Sequence, residues 1–218
     1  ARLLRLVVER RLPFLVSGGT GSGKTTLLNA LLSVADPADR LVVVEDTTEL
    51  RPDHPHVVGL ESRPANVEGA GAVEMRTLVR QALRMRPDRL VVGEVRGAEV
   101  VDLLAALNTG HEGGCGTVHA NTARDVPARL EALGALAGLD RAALAAQAAS
   151  ALSLVLHLRR GADGRRLQEV GVLHRPDGAA LAVLPALAAD PDPTGPGRAG
   201  PGWERLAGLL GLRQRWPP

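Results

Sequence analysis

A single lysine, Lys24, lies in the segment GGTGSGKTT, whereas the other 25 of the 26 basic residues are arginine. The pattern G-x-x-x-x-G-K-[ST] is that of a phosphate-binding P-loop. A compact ammonium fits between such a loop and the β- and γ-phosphates of a nucleotide, whereas a planar guanidinium is bulkier and fits poorly. The residue type retained at position 24 therefore predicts a nucleoside triphosphatase.

The P-loop residues have predicted roles around the phosphates. Backbone N–H groups of Gly19 to Thr25 are expected to wrap the β-phosphate, and the N-terminus of the following helix adds positive potential. Lys24 should reach the β and γ oxygens, and the Thr25 hydroxyl should ligate Mg²⁺. The predicted cofactors are ATP and Mg²⁺. The predicted nucleotide-binding residues are Gly18, Gly19, Thr20, Gly21, Ser22, Gly23, Lys24, Thr25, Thr26 and His119.

Two acidic positions follow apolar segments that predict buried strands. Glu45 lies near the end of LVVVED, with Glu49 close behind, and Glu94 lies in LVVGEV, where Gly93 stands in place of the usual terminal aspartate. The carboxyl ends of parallel strands meet at one sheet edge, so both acids are expected beside the P-loop. A carboxylate there can orient or deprotonate the attacking water. The alternatives are a helix cap or, for Glu94, a salt bridge with Arg96.

Lys24, Glu94 and Glu45 form the predicted catalytic set. We expect Glu94 to position or activate water, and Glu45 to assist through Mg²⁺ or through water.

A cluster of histidines lies in TGHEGGCGTVHAN, where His111 and His119 flank Cys115 at the spacing H-x3-C-x3-H. The favoured interpretation places His119, at a strand end, near the γ-phosphate as a sensor. A zinc site is an alternative, although no fourth ligand is evident and a strand would splay the three side chains. A pair of polar core histidines is the other alternative.

Arg76, Arg80 and Arg84 recur every four residues and therefore share one face of a predicted helix. A solvated face is one interpretation. In a ring ATPase, arginines such as Arg76 and Arg80 can instead stabilise transition-state charge across a subunit boundary.

Composition narrows the class of protein. The chain has 218 residues, 45% of them hydrophobic, which suffices for one large globular domain or a domain with an appendage. The net charge of +2 indicates a solvated surface of mixed charge, and the near absence of aromatic residues argues against a base-stacking nucleic-acid platform. A single cysteine excludes an internal disulfide, and no apolar run approaches the ~18 residues that a membrane span needs.

Predicted strands alternate with predicted helices, which indicates an α/β fold with a mostly parallel sheet and helices on both faces. Helices are expected over 1–11, from Lys24, and over 72–86, 98–107, 125–137 and 141–151. Strands are expected at PFLVSG, 41–46, VVGLESR, 90–95 and 115–120, followed by an antiparallel hairpin, SLVLHLRR and RRLQEVGVLHR, and a short strand near AALAVL.

The predicted domain organisation has three parts. Residues 1–185 form the ATPase domain, and the Pro/Gly-rich residues 186–202 form a disordered linker. Residues 203–218 form a tail in which WERLAGLLGLRQRW is either a short amphipathic helix or unstructured.

The blocks GGTGSGKTT, VVVEDTTEL, ALRMRPDRLVVGEVRGAE and TGHEGGCGTVHANTARD, in that order and spacing, resemble the secretion ATPase superfamily of type II and type IV systems over about residues 1–160. RMRPDRLVVGEVRG and PHVVGLESRPANVEGAGAV look most like the Tad (tight-adherence, CpaF-type) pilus-assembly branch, which is also associated with conjugal transfer. The resemblance implies a RecA-like P-loop core and ATP hydrolysis that moves pilin or secreted substrate. It further implies a cytoplasmic homo-hexamer, peripheral at the inner face of the bacterial plasma membrane and docked on inner-membrane platform proteins.

The resemblance also implies residue roles. The family's Walker A motif falls on Lys24 and Thr25, and its acidic box falls on Glu45, Asp46 and Glu49. Its atypical Walker B glutamate falls on Glu94, and its histidine box falls on His111 and His119. The family's N-terminal domain is expected to be missing or cut away. The four-cysteine zinc motif of the pilus extension branches is absent from the sequence, and Cys115 stands where a small polar residue is expected.

Two rival functions remain open. One is a DNA-translocating conjugation ATPase built on the same core, and the other is a nucleotide-binding assembly module without turnover.

Overall fold

The computed structural model describes residues 2–161, 164–176, 180–190, 195 and 197–212. The strands are β1 (Phe14–Gly18), β2 (Leu41–Glu45), β3 (Val57–Glu61), β4 (Arg89–Val92), β5 (Cys115–Val118), β6 (Leu154–Gly161), β7 (Gly164–His174), β8 (Ala182–Ala188) and β9 (Arg198–Ala199). The helices are α1 (Arg2–Glu9), α2 (Lys24–Leu32), α3 (Met75–Arg84), α4 (Glu99–Asn108), α5 (Val126–Leu136), α6 (Arg141–Ala151) and α7 (Trp203–Leu210).

The strands form one nine-stranded sheet in the order β3-β2-β4-β5-β1-β6-β7-β8-β9. Every pairing from β3 across to β6 is parallel, and the pairings from β6 across to β9 are antiparallel. The predicted α/β class, with a mostly parallel sheet and antiparallel strands near the C-terminus, is confirmed. The antiparallel strands extend the main sheet, because β6 pairs with β1 on one side and β7 on the other.

The central strands are buried along their whole length, which their apolar sequences require. In β2, Val42 and Val44 pack into one core cluster, whereas Leu41 and Val43 pack into the other, as the alternation of side chains along a strand dictates. The first cluster includes residues of α3, α4, α5 and α6, and the second includes residues of α1, α2 and α7. Helices therefore cover both faces of the sheet, and both faces of each central strand must be apolar.

The sequence predicted that the ATPase domain ends at residue 185 and that a disordered linker follows it. In the structure, residue 185 lies inside β8. Residues 186–188 complete β8, and β9 pairs with Leu187 and Ala188. Gly200 and Gly202 donate backbone hydrogen bonds to the carbonyls of Ala186 and Pro185. At both glycines a Cβ would lie within 3 Å of a β8 carbonyl oxygen. Because glycine has no side chain, this segment can pack closely along the edge of β8. Residues 191–194 and 196 lie outside the described residues.

The segment 203–216 adopts the helical alternative over Trp203–Leu210, and residues 213–216 lie outside the described residues. The buried side chains recur at positions i, i+3, i+4 and i+7, the spacing of an amphipathic helix: Trp203, Leu206, Ala207 and Leu210. Across the described ranges, no helix combines the length and the apolar character that crossing a membrane would take.

Candidate active site

The P-loop connects β1 to α2 and depends on glycine at several positions. Gly21 and Gly23 have φ angles of +69° and +96°, in the left-handed region that favours glycine. A Cβ on Gly18 would lie 2.5 Å from Ser22 Oγ and 2.6 Å from the Leu158 carbonyl oxygen. The loop is therefore folded tightly against β6, and α2 begins directly at Lys24.

Lys24 is largely buried, and its ammonium lies against the loop. Its Nζ donates hydrogen bonds to the carbonyl oxygens of Gly18 at 3.1 Å and Gly19 at 3.2 Å. Both ring nitrogens of His119 lie 3.5 Å from Nζ. Burial lowers the pKa of Lys24, and the negative charge of Glu94 partly opposes that shift. The lysine thus lies between the loop and the acidic side of the site.

Glu45 ends β2, and its carboxylate is buried with backbone partners. The N–H groups of Leu50 and Glu49 donate to Glu45 Oε1 at 3.1 Å and 3.3 Å. Burial raises the pKa of Glu45, and these two hydrogen bonds partly offset the shift. A Cβ on Gly93 would lie 2.5 Å from Glu45 Cγ. Gly93, noted in the sequence as replacing an aspartate, therefore makes room for the side chain of Glu45.

Glu94 follows β4, and its carboxylate lies between the side chains of Arg96 and His119. Arg96 Nη2 donates to Glu94 Oε2 at 2.7 Å, which is the salt bridge considered as an alternative role. His119 Nε2 lies 2.7 Å from Glu94 Oε1, although without the alignment of a hydrogen bond. Burial opposes ionisation of Glu94, but Arg96, His119 and Lys24 outweigh it, so its pKa is lowered. Glu94 is ionised at neutral pH.

His119 follows the last residue of β5. Burial and the charge of Lys24 lower the pKa of His119 more than Glu94 raises it. The neutral imidazole therefore prevails at pH 7, where one ring nitrogen donates and the other accepts.

Glu45 and Glu94 line one cleft at the carboxyl edge of the parallel strands, and Lys24 and His119 lie beside it through the contact of His119 with Glu94. The Thr25 hydroxyl donates to Glu49 Oε2 at 3.0 Å across it. The lining residues are Thr25, Glu45, Asp46, Thr47, Glu49, Gly93, Glu94 and Arg96. The topology thus brings both acidic strand ends to the P-loop, because β1, β2 and β4 are parallel in one sheet.

The donor set fits a nucleotide and Mg²⁺. Buried Ser22 Oγ and Glu94 Oε1 have no hydrogen-bond partner among the described residues, so polar capacity is left at the loop. Within the described ranges, no three His, Cys, Asp or Glu side chains are grouped as a metal site. Mg²⁺ commonly takes one or two protein oxygens and completes its shell with phosphates and water, which agrees with the oxygen-rich cleft.

Several predicted residues lie elsewhere. Arg76 and Arg80 both pair with Asp102 of α4, at 2.6 Å and 2.7 Å, and neither lines the cleft of its own chain. His111 Nδ1 lies 3.1 Å from the Ala106 carbonyl oxygen at the end of α4. Cys115 is buried in β5, and burial raises the pKa of its thiol to about 12.

Sequence reasoning missed Glu99, a buried acid that orders the segment after Glu94. Its Oε1 accepts the N–H groups of Arg96 at 2.6 Å and Gly97 at 2.7 Å. Glu99 thereby fixes the backbone of the arginine that holds Glu94. An acid in the first turn of a predicted helix was the available signal.

A second cavity, of about 230 Å³, lies along β7 and β8 and contains none of the predicted site residues. Its lining combines aliphatic side chains with three charged residues, Arg166, Glu169 and Asp190, and includes no residue of the P-loop.

The chain has relatives among known proteins. Residues 1–182 match the family described as type II/IV secretion system protein. A putative conjugal transfer protein of Mycobacterium tuberculosis is 64% identical over 184 residues, covering 84% of this chain and 52% of that protein. Conjugal transfer protein TrbB of Rhizobium radiobacter is 40% identical over 173 residues, covering 78% of this chain and 51% of that protein. The chain thus spans about half the length of these relatives.

Solved structures share the fold. The VirB11 ATPase from the Brucella suis type IV secretion system, in complex with sulphate, superposes with a TM-score of 0.69 at 32% identity, covering 78% of this chain and 52% of that chain. The pilus retraction motor PilT with bound ADP gives a TM-score of 0.54 at 23% identity, covering 82% of this chain and 48% of that chain, and supports the fold alone. The fold, the cleft and the match over 1–182 lead to one conclusion: this chain belongs to the type II/IV secretion system protein family.

Proposed function

We propose that this chain is an ATP-hydrolysing motor domain that powers a type II/IV secretion or pilus-assembly system at the bacterial inner membrane. One observation carries the proposal: Lys24 and Thr25 of the P-loop share a sheet edge with the buried Glu45 and the half-buried Glu94. A P-loop alone binds phosphate, whereas an ionised carboxylate beside it can act on water.

In this mechanism Glu94 orients the attacking water and accepts its proton. The lowered pKa of Glu94 keeps the carboxylate ionised, and the salt bridge with Arg96 holds it in place. Lys24 neutralises the charge that develops on the β- and γ-phosphate oxygens. His119 contacts both Lys24 and Glu94, so it is suited to respond when a γ-phosphate enters.

The Thr25 hydroxyl would hold Mg²⁺ directly, and Glu45 would hold it through water. Bound there, the ion would supply neutralisation of phosphate charge. The Thr25 hydroxyl donates a hydrogen bond to Glu49 of the same chain. For Mg²⁺ to bind this hydroxyl, the Glu49 carboxylate would have to release it and contact the ion or its water shell instead.

The experiment is phosphate release by the purified chain and by three variants. Lys24→Ala and Glu94→Gln should each lower turnover by about a hundredfold or more. Glu112→Gln, at an exposed acid outside the cleft, is the matched control and should turn over like the wild type. If Glu94→Gln turned over like the wild type while Lys24→Ala had no activity, Glu94 would have no part in the mechanism. ATP binding by calorimetry without phosphate release would favour the assembly module without turnover.

We further propose that the motor is a homo-hexamer in which arginines such as Arg76 and Arg80 complete a neighbour's site. Both guanidinium groups are partly exposed while paired with Asp102, so they can reach outward. Activity should then rise cooperatively with protein concentration, as followed by turnover and light scattering together. A fully active monomer would contradict the ring.

The finer proposal is Tad-type pilus assembly by a cytoplasmic protein that docks on inner-membrane platform proteins. It rests on the blocks RMRPDRLVVGEVRG and PHVVGLESRPANVEGAGAV. Co-purification with Tad-type platform proteins from the same genome is the test, and binding only to conjugation components would contradict it.

A DNA-translocating conjugation ATPase is the second candidate, because the relatives with 64% and 40% identity are named as conjugal transfer proteins. This function predicts turnover stimulated by DNA with a steep dependence on salt, whereas a protein-moving motor should show neither.

A further inference from the structure

The tip of the β6–β7 hairpin concentrates positive charge. Four arginines face one another there in two cross-strand pairs, Arg159 with Arg166 and Arg160 with Arg165. Like charges directly opposite on neighbouring strands are destabilising. None of the four pairs with a carboxylate among the described residues, which exclude 162–163 at the turn. The described part of the chain thus offers no reason within its own fold for this charge.

The two pairs lie on opposite faces of the hairpin, because side chains alternate along a strand. One pair, Arg160 and Arg165, lies against the P-loop. Arg160 Nη1 is 3.6 Å from the position of a Cβ on Gly21, and Arg165 Cδ is 3.3 Å from that on Gly23. Arg160 and Arg165 therefore lie against the two P-loop glycines with positive φ that lead into α2.

The backbone fixes this placement. Gly18 pairs in register with Leu158, and β6 continues for three residues beyond that pair, past the end of β1. β1 lies between β5 and β6, so the two flanks of the P-loop differ. The flank toward β5 and β4 carries His119 and Glu94, whereas the flank toward β6 carries the arginine pair.

We propose that Arg160 and Arg165 bind the nucleotide's phosphate chain on the flank of the P-loop away from Glu94, where the α-phosphate enters. This inference rests on the proposed function. Lys24, Thr25 and the acids serve the γ-phosphate end, so the remaining phosphate charge lies toward the other flank. Guanidinium groups match phosphate oxygens in a two-pronged geometry, and such charge-assisted hydrogen bonds are strong.

The test is calorimetric binding of ATP and ADP, with steady-state turnover, for two double variants. Arg160→Gln/Arg165→Gln should weaken both nucleotides by about ten- to a hundredfold. KM should rise by a similar factor while kcat stays within about twofold of wild type, since only phosphate binding is lost. Arg159→Gln/Arg166→Gln removes the same charge from the same hairpin on the other face, and should bind both nucleotides like the wild type.

The two proposals fail in different ways. Wild-type affinity in Arg160→Gln/Arg165→Gln, or equal weakening in both double variants, would overturn the arginine site and leave the motor intact. Intact nucleotide binding with loss of self-association would also overturn it, and would assign the arginines to a contact between copies. If the wild type binds no ATP, the proposed function itself fails and the arginine site falls with it. Urea unfolding checks folding, and both double variants should be at least as stable as the wild type because like-charge repulsion is relieved.

Discussion

At the scale of single residues, Gly93 and Glu45 occupy one shared volume beside the P-loop. Glu45 cannot retreat, because its carboxylate is buried and held by the N–H groups of Glu49 and Leu50. Gly93 cannot gain a methyl group without meeting Glu45 Cγ at 2.5 Å. The position of an acid in the site therefore depends on the absence of a side chain 48 residues later in the chain.

Gly93→Ala should lower both stability and turnover. The added methyl group must displace Glu45 or shift β4, at a cost of about 1–3 kcal/mol in the free energy of unfolding. Turnover should fall further than stability explains, because Glu45 leaves its place in the cleft. Urea unfolding and phosphate release measure the two effects. Gly59→Ala in β3 is the matched control, since a Cβ there meets nothing within 4 Å, and its turnover should be unchanged.

The sequence predicts the identity of the acids but not this contact. The P-loop pattern and the apolar run before Glu45 are local signals, and each depends on residues adjacent in the chain. The contact between Gly93 and Glu45 depends on the register of β2 with β4, in which Val44 pairs with Val92. No local pattern encodes that register. Glu99 was missed for a related reason, because its burial follows from tertiary packing.

At the scale of elements, His157 of β6 links the strand that precedes the P-loop to the segment that follows His119. Its Nδ1 lies 2.9 Å from Ser17 Oγ in β1, and its ring also hydrogen-bonds the backbone of Asn121. Both Ser17 and His157 are buried. Burial lowers the pKa of His157. The link is therefore made by a neutral ring.

The free energy of unfolding should fall as pH drops below about 6.5, the ordinary pKa of histidine. Below that value the unfolded state binds a proton that the folded ring resists, so the unfolded state gains. His157→Gln should flatten this dependence between about pH 7 and pH 5, although the lowered pKa of His119 leaves part of it. Urea titrations across this range measure the slope.

The C-terminal helix α7 is the element that composition predicted least well. Pro- and Gly-rich sequence before it indicated disorder, but glycine also permits a close edge contact with β8. The apolar spacing of α7 was visible in the sequence, whereas the part of the second core cluster that it packs against was not. A short helix is stable only where such tertiary packing exists.

Leu206→Ala should lower the free energy of unfolding by about 2–4 kcal/mol, because Leu206 is fully buried against the second core cluster. Leu209 lies in the same helix but is 37% exposed, so Leu209→Ala should cost well under half as much. Equal small losses in urea unfolding would mean that α7 is not docked in solution.

At the scale of the whole molecule, the cleft beside the P-loop has its own acids, while the chain spans about half the length of its relatives. The pairing of Arg76 and Arg80 with Asp102 keeps two cations away from the cleft of their own chain. If arginines of α3 are to stabilise the transition-state charge, they must therefore come from a second copy of the chain.

Mixing experiments test that requirement. In the proposed ring, adding Glu94→Gln protein to wild type should suppress turnover more than in proportion to its fraction, because each mixed ring would contain defective neighbours. Glu112→Gln protein, mixed in the same amounts, should cause no suppression. A strictly proportional loss of phosphate release would show that each copy works alone.

The burial of Lys24 has a chemical consequence. It is the only lysine in the chain, so an amine-reactive reagent has one side-chain target besides the terminal amine. Its lowered pKa increases the fraction of free, nucleophilic amine, while its burial against the loop slows access. Acylation read by mass spectrometry thus reports on a single atom at the centre of the site. Nucleotide bound there should shield that amine, so the rate at which Lys24 is acylated reports whether the site is occupied.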